Sequence, residues 1–151
     1  MDIVLRAIAP SDLDTIAALE HQSFPDPWDT SGLGLLLAPP YGGLCAWLDD
    51  TIAGYIGWLA FPAAGDMPAE AEITRIAVSP ALRRRGIGRA LLSAMTAQLT
   101  SDNTPLTVHL DVRESNIAAQ SLYAALGFTP CGRRPRFYGE EDALEMVLHR
   151  P

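Results

Sequence analysis

The chain has 151 residues, of which 48% are hydrophobic, and 11 Lys+Arg against 18 Asp+Glu leave a formal net charge of −7. That length allows one domain with a real core, and the composition is too apolar for a disordered chain. Nucleic-acid binders carry a basic balance, so the acidic surplus argues against direct nucleic-acid contact and suits a cationic partner.

No uninterrupted apolar run reaches the roughly 18 residues of a transmembrane helix. The start, "MDIVLRAIAPSDLD", lacks the basic and apolar blocks of a signal peptide. A cytoplasmic protein with no membrane partner is expected. Cys45 and Cys131 are far apart, and His21, His109 and His149 are scattered without zinc-like spacing. Two buried free thiols and no metal are therefore expected.

In chain order, "DIVLRAI" (2–8) alternates as a strand. "SDLDTIAALEHQSF" reads as a helix, with Ser11 and Asp14 spaced as a capping box and Leu13, Ile16, Ala17 and Phe24 near one face. The prolines of "PDPW" (25–28) break it. "TSGLGLLLA" is a second short helix and "PPYGG" (39–43) a turn. "LCAWLDD" and "IAGYIGWLAF" form a hairpin around Asp49, Asp50 and Thr51. "AEITRIAV" (71–78) is a central strand, and from Gly86 a helix follows, with Ile87, Leu91, Met95 and Leu99 every four residues. In "LTVHLDV" (106–112), Leu106, Val108, Leu110 and Val112 face one side, and Thr107, His109 and Asp111 the other. "NIAAQSLYAALGF" is a helix closed by Gly127. The tail "RFYGEEDALEMVL" reads as two strand segments around a turn at Gly139 to Asp142. The order is an α/β layout on a mixed sheet, a single domain over 1–151.

"RRRGIG" (83–88) joins a strand to a helix. Free N–H groups at a helix start, glycines that let a ligand approach the backbone, and arginines that pair with phosphate oxygens together fit a diphosphate. The string is neither a Walker A loop nor a Rossmann GxGxxG, since Leu91 stands where the last glycine belongs. A basic turn before an ordinary helix remains the alternative on these residues alone.

The longer string "IAVSPALRRRGIGRALL" resembles the acetyl-CoA signature of the GCN5-related N-acetyltransferases (GNAT), Arg/Gln-x-x-Gly-x-Gly/Ala, with Arg83, Gly86 and Gly88 in its fixed places. "FPDPW", "LDVRESNIAAQSLYAALGF" and "RRPRFYGEEDALEMVL" resemble the bacterial ribosomal-protein-alanine N-acetyltransferases (RimI type) within it, in the same order along the chain. The resemblance implies the GNAT fold, a mixed, mostly antiparallel sheet of about seven strands flanked by about four helices. It implies acetyl-CoA as co-substrate and acetyl transfer to a free amine, most simply a protein N-terminus such as that of a ribosomal protein. Acetylation of a small-molecule amine and a non-catalytic acyl-CoA-binding module are the competing readings, because a fold does not fix a substrate.

Residue by residue, the resemblance assigns the pantetheine arm to the strand end Ile76, Ala77 and Val78. It assigns the pyrophosphate to Arg83, Arg84, Arg85, Gly86, Ile87, Gly88, Arg89 and Ala90. Tyr123, on the helix that Asn116 opens, matches the general acid that protonates the leaving thiolate; a phenol near pKa 10 is protonated at neutral pH. Without the resemblance Tyr123 reads as a core tyrosine. Asn116 is expected to cap its helix and to reach the pantetheine. Asp111 stands where the family places a glutamate base, one methylene short, which makes a water relay plausible. Glu72 on the neighbouring strand is the rival base, and His109 shares the face of Asp111. Phe24, Trp28 and Tyr138 are expected to line the acceptor groove, and Phe137 replaces a tyrosine there. At neutral pH roughly a tenth of α-amines with pKa near 8 is uncharged, against about one lysine in a thousand, so a weak base favours N-termini.

Overall fold

The computed structural model describes residues 2–100 and 105–151. Its strands are β1 (Ile3–Ala7), β2 (Tyr41–Leu48), β3 (Thr51–Phe61), β4 (Ala69–Val78), β5 (Leu106–Arg113), β6 (Thr129–Arg134) and β7 (Ala143–Arg150). Its α-helices are α1 (Leu13–Ser23), α2 (Thr30–Leu33), α3 (Ile87–Leu99) and α4 (Ile117–Ala125). The strands follow the order β1-β2-β3-β4-β5-β7-β6 in one seven-stranded sheet. β1–β2, β2–β3, β5–β7 and β6–β7 pair antiparallel, and β4–β5 pair parallel. The mixed, mostly antiparallel α/β fold is the expected one.

The chain divides into two compact units, Met1–Ala60 with Thr74–Leu99, and Phe61–Ile73 with Thr100–Pro151. In the first unit, α1 and α2 bury Ile16, Leu19 and Leu33 in a cluster with Cys45, Ile52 and Tyr55. α3 buries Ile87, Leu91 and Met95 of the every-four stripe, with Leu92 beside them, while Leu99 at the helix end is only half-buried. In the second unit, β5 alternates buried Leu106, Val108, Leu110 and Val112 with more accessible Thr107, His109 and Asp111. It pairs with β7 from Leu106↔Arg150 to Arg113↔Ala143. α4 ends at Ala125, and Gly127 follows at φ +100°, the left-handed closure that glycine makes cheaply.

Four local expectations are corrected. The Ser11 and Asp14 box does not form. Pro10–Asp12 makes a 3-10 turn first, and the Asp12 carboxylate accepts the Ala9 N–H at 2.8 Å. "YGG" belongs to β2 and is not a turn, because its glycines answer to packing. A Cβ on Gly42 would fall on the Trp58 indole, and one on Gly43 on the Ile8 side chain. The first strand of the C-terminal hairpin is Thr129–Arg134, which leaves Phe137 and Tyr138 in the connection. Cys131 is exposed, since it lies on the edge strand β6; only Cys45 is buried.

Candidate active site

The glycine-rich loop belongs to the first unit. β4 ends with Ile76, Ala77 and Val78, and the Ser79 N–H is tied to the Ala53 carbonyl at 2.8 Å. Gly54 permits that approach, since a Cβ there would lie 2.7 Å from the Ala77 carbonyl oxygen. After a 3-10 turn at Pro80–Leu82, the Arg83 Nε–H donates back to the Val78 carbonyl at 3.2 Å. Arg84 and Gly86 both take positive φ, +66° and +82°. The left-handed region is strained for an arginine, and such strain collects in ligand-binding loops. The Gly86 carbonyl accepts the Ala90 N–H at 3.0 Å, so Gly86 opens α3. The first turn of a helix has no intrahelical partners for its N–H groups, here those of Ile87, Gly88 and Arg89. Nothing lies within 4 Å of where a Gly86 Cβ would stand. Bare backbone, a helix start and three arginines fit a diphosphate.

Phe24 and Trp28 lie in the same unit, against its core. The Arg75 guanidinium stacks over both rings, 4.0 Å from the Phe24 centroid and 5.2 Å from that of Trp28. Arg75 also donates to the Asp26 carbonyl at 2.7 Å and, through Nε, to Glu20 Oε1 at 3.1 Å. The Tyr55 hydroxyl donates to the same Glu20 oxygen at 2.6 Å. Glu20 has no exposure at all. Burial, and then the hydrogen bond to Glu20, push the Tyr55 phenol well above its ordinary value.

In the second unit, β4 and β5 pair from Ala69↔Leu106 to Glu72↔His109, and Asp111 on β5 faces Glu145 on β7. These side chains line a pocket of about 190 Å³. Glu70, Glu72, Asp111 and Glu145 supply its carboxylates, with Arg134 and His109. Arg134 Nε donates to Asp111 Oδ1 at 3.2 Å, and Arg134 lies 3.5 Å from Glu145. Asp111 first, then Glu145, raise the arginine pKa. His109 Nε2 is 3.7 Å from Glu70. The two candidate bases, Glu72 and Asp111, thus share one concavity with a surplus of negative charge, the surroundings an ammonium prefers.

Asn116 caps α4, with its Oδ1 accepting the Ala119 N–H at 3.1 Å. Only the side-chain oxygen is committed to the cap, so its amide N–H groups are compatible with a second contact. Tyr123 is 6% exposed, packed 5.9 Å from Phe128. Burial, and then Tyr138, raise its phenol above the ordinary value. Tyr138 lies under the Arg113 guanidinium at 4.2 Å and edge-on to Phe137 at 5.1 Å. Its N–H donates to the Glu141 carbonyl at 3.0 Å.

The model of the Acetyltransferase (GNAT) family matches residues 13–128, which hold the glycine-rich loop, both candidate bases and Tyr123. The chain belongs to the GNAT acetyltransferase family. Its relatives include the N-alpha-acetyltransferase RimI of Mycobacterium tuberculosis, 34% identical over 98% of this chain and 92% of that one. The uncharacterized protein ML0378 of Mycobacterium leprae is 35% identical over 98% of this chain, which spans only 40% of ML0378. The crystal structure of the ribosomal-protein-S18-alanine N-acetyltransferase from Escherichia coli has a TM-score of 0.84 and 27% identity, with 98% of this chain and 94% of that one covered.

Two groups of this chain are not legible in its sequence. Glu20, Arg75 and Tyr55 form the buried cluster beneath Phe24 and Trp28. Glu20 lies four residues after Ile16, on the apolar face of α1, and a glutamate there was the signal of a buried partner. Arg134 and Glu145 complete the pocket around Asp111, and nothing local in "RRPRF" or "ALEMV" marks them. Among the described residues no set of His, Cys, Asp and Glu is arranged to hold a metal, and no helix is long and apolar enough to cross a membrane.

Proposed function

We propose that this protein is an acetyl-CoA-dependent N-acetyltransferase, a single catalytic domain that acts in the cytoplasm on the α-amine of a protein N-terminus, such as that of a ribosomal protein. The observation that carries the reading is the acidic pocket where Glu72 and Asp111 meet, in the same unit as Tyr123. The first unit supplies the diphosphate loop. The relatives named RimI and ribosomal-protein-S18-alanine N-acetyltransferase support the choice of an N-terminal amine over a small molecule.

The co-substrate supplies an activated thioester. Ile76 to Val78 offer strand-edge backbone to the pantetheine arm, and Arg83 to Ala90 hold the pyrophosphate. The carboxylates draw the acceptor ammonium into the pocket and take its proton, directly or through water. Arg134 already pairs with Asp111 at 3.2 Å, and Glu72 in the same pocket shares the task. The amine nitrogen then forms its bond to the carbonyl carbon, and the carbon–sulfur bond breaks. Tyr123 donates its proton to the sulfur as charge develops there, and its phenolate takes up the second proton that the nitrogen loses as the amide forms. Its raised pKa keeps it a donor throughout the neutral range.

The test offers purified protein acetyl-CoA and short peptides, one set with free N-termini and one with blocked N-termini and an internal lysine. Mass spectrometry locates the acetyl group. Transfer confined to free α-amines is expected. Transfer to lysine would keep the cofactor and overturn the acceptor. Acetyl-CoA binding without transfer to either set would favour a small amine or a binding module.

A further inference from the structure

The structure assigns to Arg75 a positioning role: held by buried Glu20, it fixes the 24–29 segment and thereby sets which acceptors are taken. The inference rests on the reading of Phe24 and Trp28 as acceptor-facing residues. The first ground is geometric convergence. One guanidinium stacks on Phe24 at 4.0 Å and on Trp28 at 5.2 Å, and holds the Asp26 carbonyl between them at 2.7 Å. It therefore touches three residues of a five-residue stretch that runs from α1 toward α2 and contains two prolines, Pro25 and Pro27. Such a stretch has few backbone N–H groups with which to fix itself.

The second ground is how Arg75 itself is fixed. Its Nε meets Glu20 Oε1 at 3.1 Å, and the Arg75 and Glu20 side chains are 13% and 0% exposed. The Tyr55 hydroxyl donates to that same Glu20 oxygen at 2.6 Å. Glu20 Oε2 has no partner among the described residues. A core that needed only stability is served as well by apolar residues, whereas an oriented guanidinium supplies a planar platform of fixed direction. The third ground is position. Arg75 directly precedes Ile76, the start of the strand end proposed for the pantetheine, so one short run of β4 serves both substrates.

Arg75→Lys keeps a charge for Glu20 but loses the planar face and the fork that reaches Asp26. The double variant Glu20→Gln/Arg75→Met removes both charges at similar size, so no buried charge is left alone. For the full chain, KM for a free-N-terminus peptide is compared with KM for acetyl-CoA, and hydrogen exchange is followed at residues 24–29. Both variants are expected to raise the peptide KM about tenfold or more with the acetyl-CoA KM unmoved, and to speed exchange in 24–29. Arg75→Lys is expected to fall between the double variant and the wild type. Faster exchange with an unchanged peptide KM would overturn the selection role and leave the N-terminal acetyltransferase reading standing. Unchanged exchange in a folded double variant would overturn the positioning role. A wild-type enzyme that acetylates only small amines would sink the functional reading, and this inference with it, before any variant is compared.

Discussion

Each unit holds an arginine between acidic partners, and the two arrangements live in different solvents. In the first, Arg75 meets Glu20 with side chains 13% and 0% exposed. In the second, Arg134 meets Asp111 and Glu145 with side chains 51%, 15% and 31% exposed. Burial makes the first pair obligatory. Glu20 there has lost its water altogether and depends on Arg75, so the cluster is a structural fixture whatever else it does. Water screens the second group, and its members are free to exchange partners. That freedom suits a place where an incoming ammonium must compete for carboxylates.

The sharpest way to break this contrast is the same truncation on both sides. Arg75→Ala should cost about 3–5 kcal/mol of unfolding free energy, since it strands Glu20 in the core. Arg134→Ala should cost about 1 kcal/mol or less. Urea denaturation of the two variants beside the wild type measures both. Equal losses would mean that burial does not distinguish the clusters.

A smaller effect sharpens the second unit's role. Tyr123→Phe keeps the ring against Phe128 and removes only the hydroxyl. The expected result is a fall in kcat of about a hundredfold, about 2.7 kcal/mol of barrier, with the acetyl-CoA KM nearly unchanged. Steady-state rates at neutral pH suffice. An unchanged kcat would remove Tyr123 from the chemistry and return it to the core tyrosine that its helix position alone suggests.

What the sequence made legible follows from range. The alternation of β5, the every-four stripe of α3 and the glycine-rich loop are local patterns, and each stands where the sequence puts it. The hydrogen bonds of Glu20 span 35 residues to Tyr55 and 55 to Arg75. No window along the chain contains such a pair. The glycines of "YGG" misled for a related reason: Gly42 answers to Trp58, sixteen positions on, and not to a turn. The C-terminal hairpin starts earlier than its aromatic residues suggest: Arg136 and Gly139 both take positive φ, which puts irregular backbone where Phe137 and Tyr138 read as a strand. The acidic pocket is half legible. Glu72 and Asp111 stand out one by one, and only the β4–β5, β5–β7 and β6–β7 registers bring Glu145 and Arg134 to them.

The mildest prediction tests how exposed electrostatics hold the Tyr138 connection. The Glu141 carboxylate accepts the Ser115 N–H at 2.6 Å and lies 3.4 Å from Arg113, whose guanidinium covers Tyr138. The Ser115 contacts, with Arg113 adding to them, hold the Glu141 carboxyl below its usual range. A lowered folded-state pKa binds its proton less tightly than the unfolded chain does. The stabilisation is therefore complete above the ordinary glutamate value, near 4.3, and is lost as pH falls through the lower folded value. Thermal unfolding of wild type and Glu141→Gln should differ most at neutral pH, and the gap should narrow below about pH 4. Added salt should narrow it too, because the group is open to water. A gap that stays constant with pH would mean that the carboxylate charge contributes nothing, and that shape holds the connection. The buried Glu20 cluster offers the opposite expectation for salt: sealed from counter-ions, the Arg75→Ala loss should persist at high ionic strength.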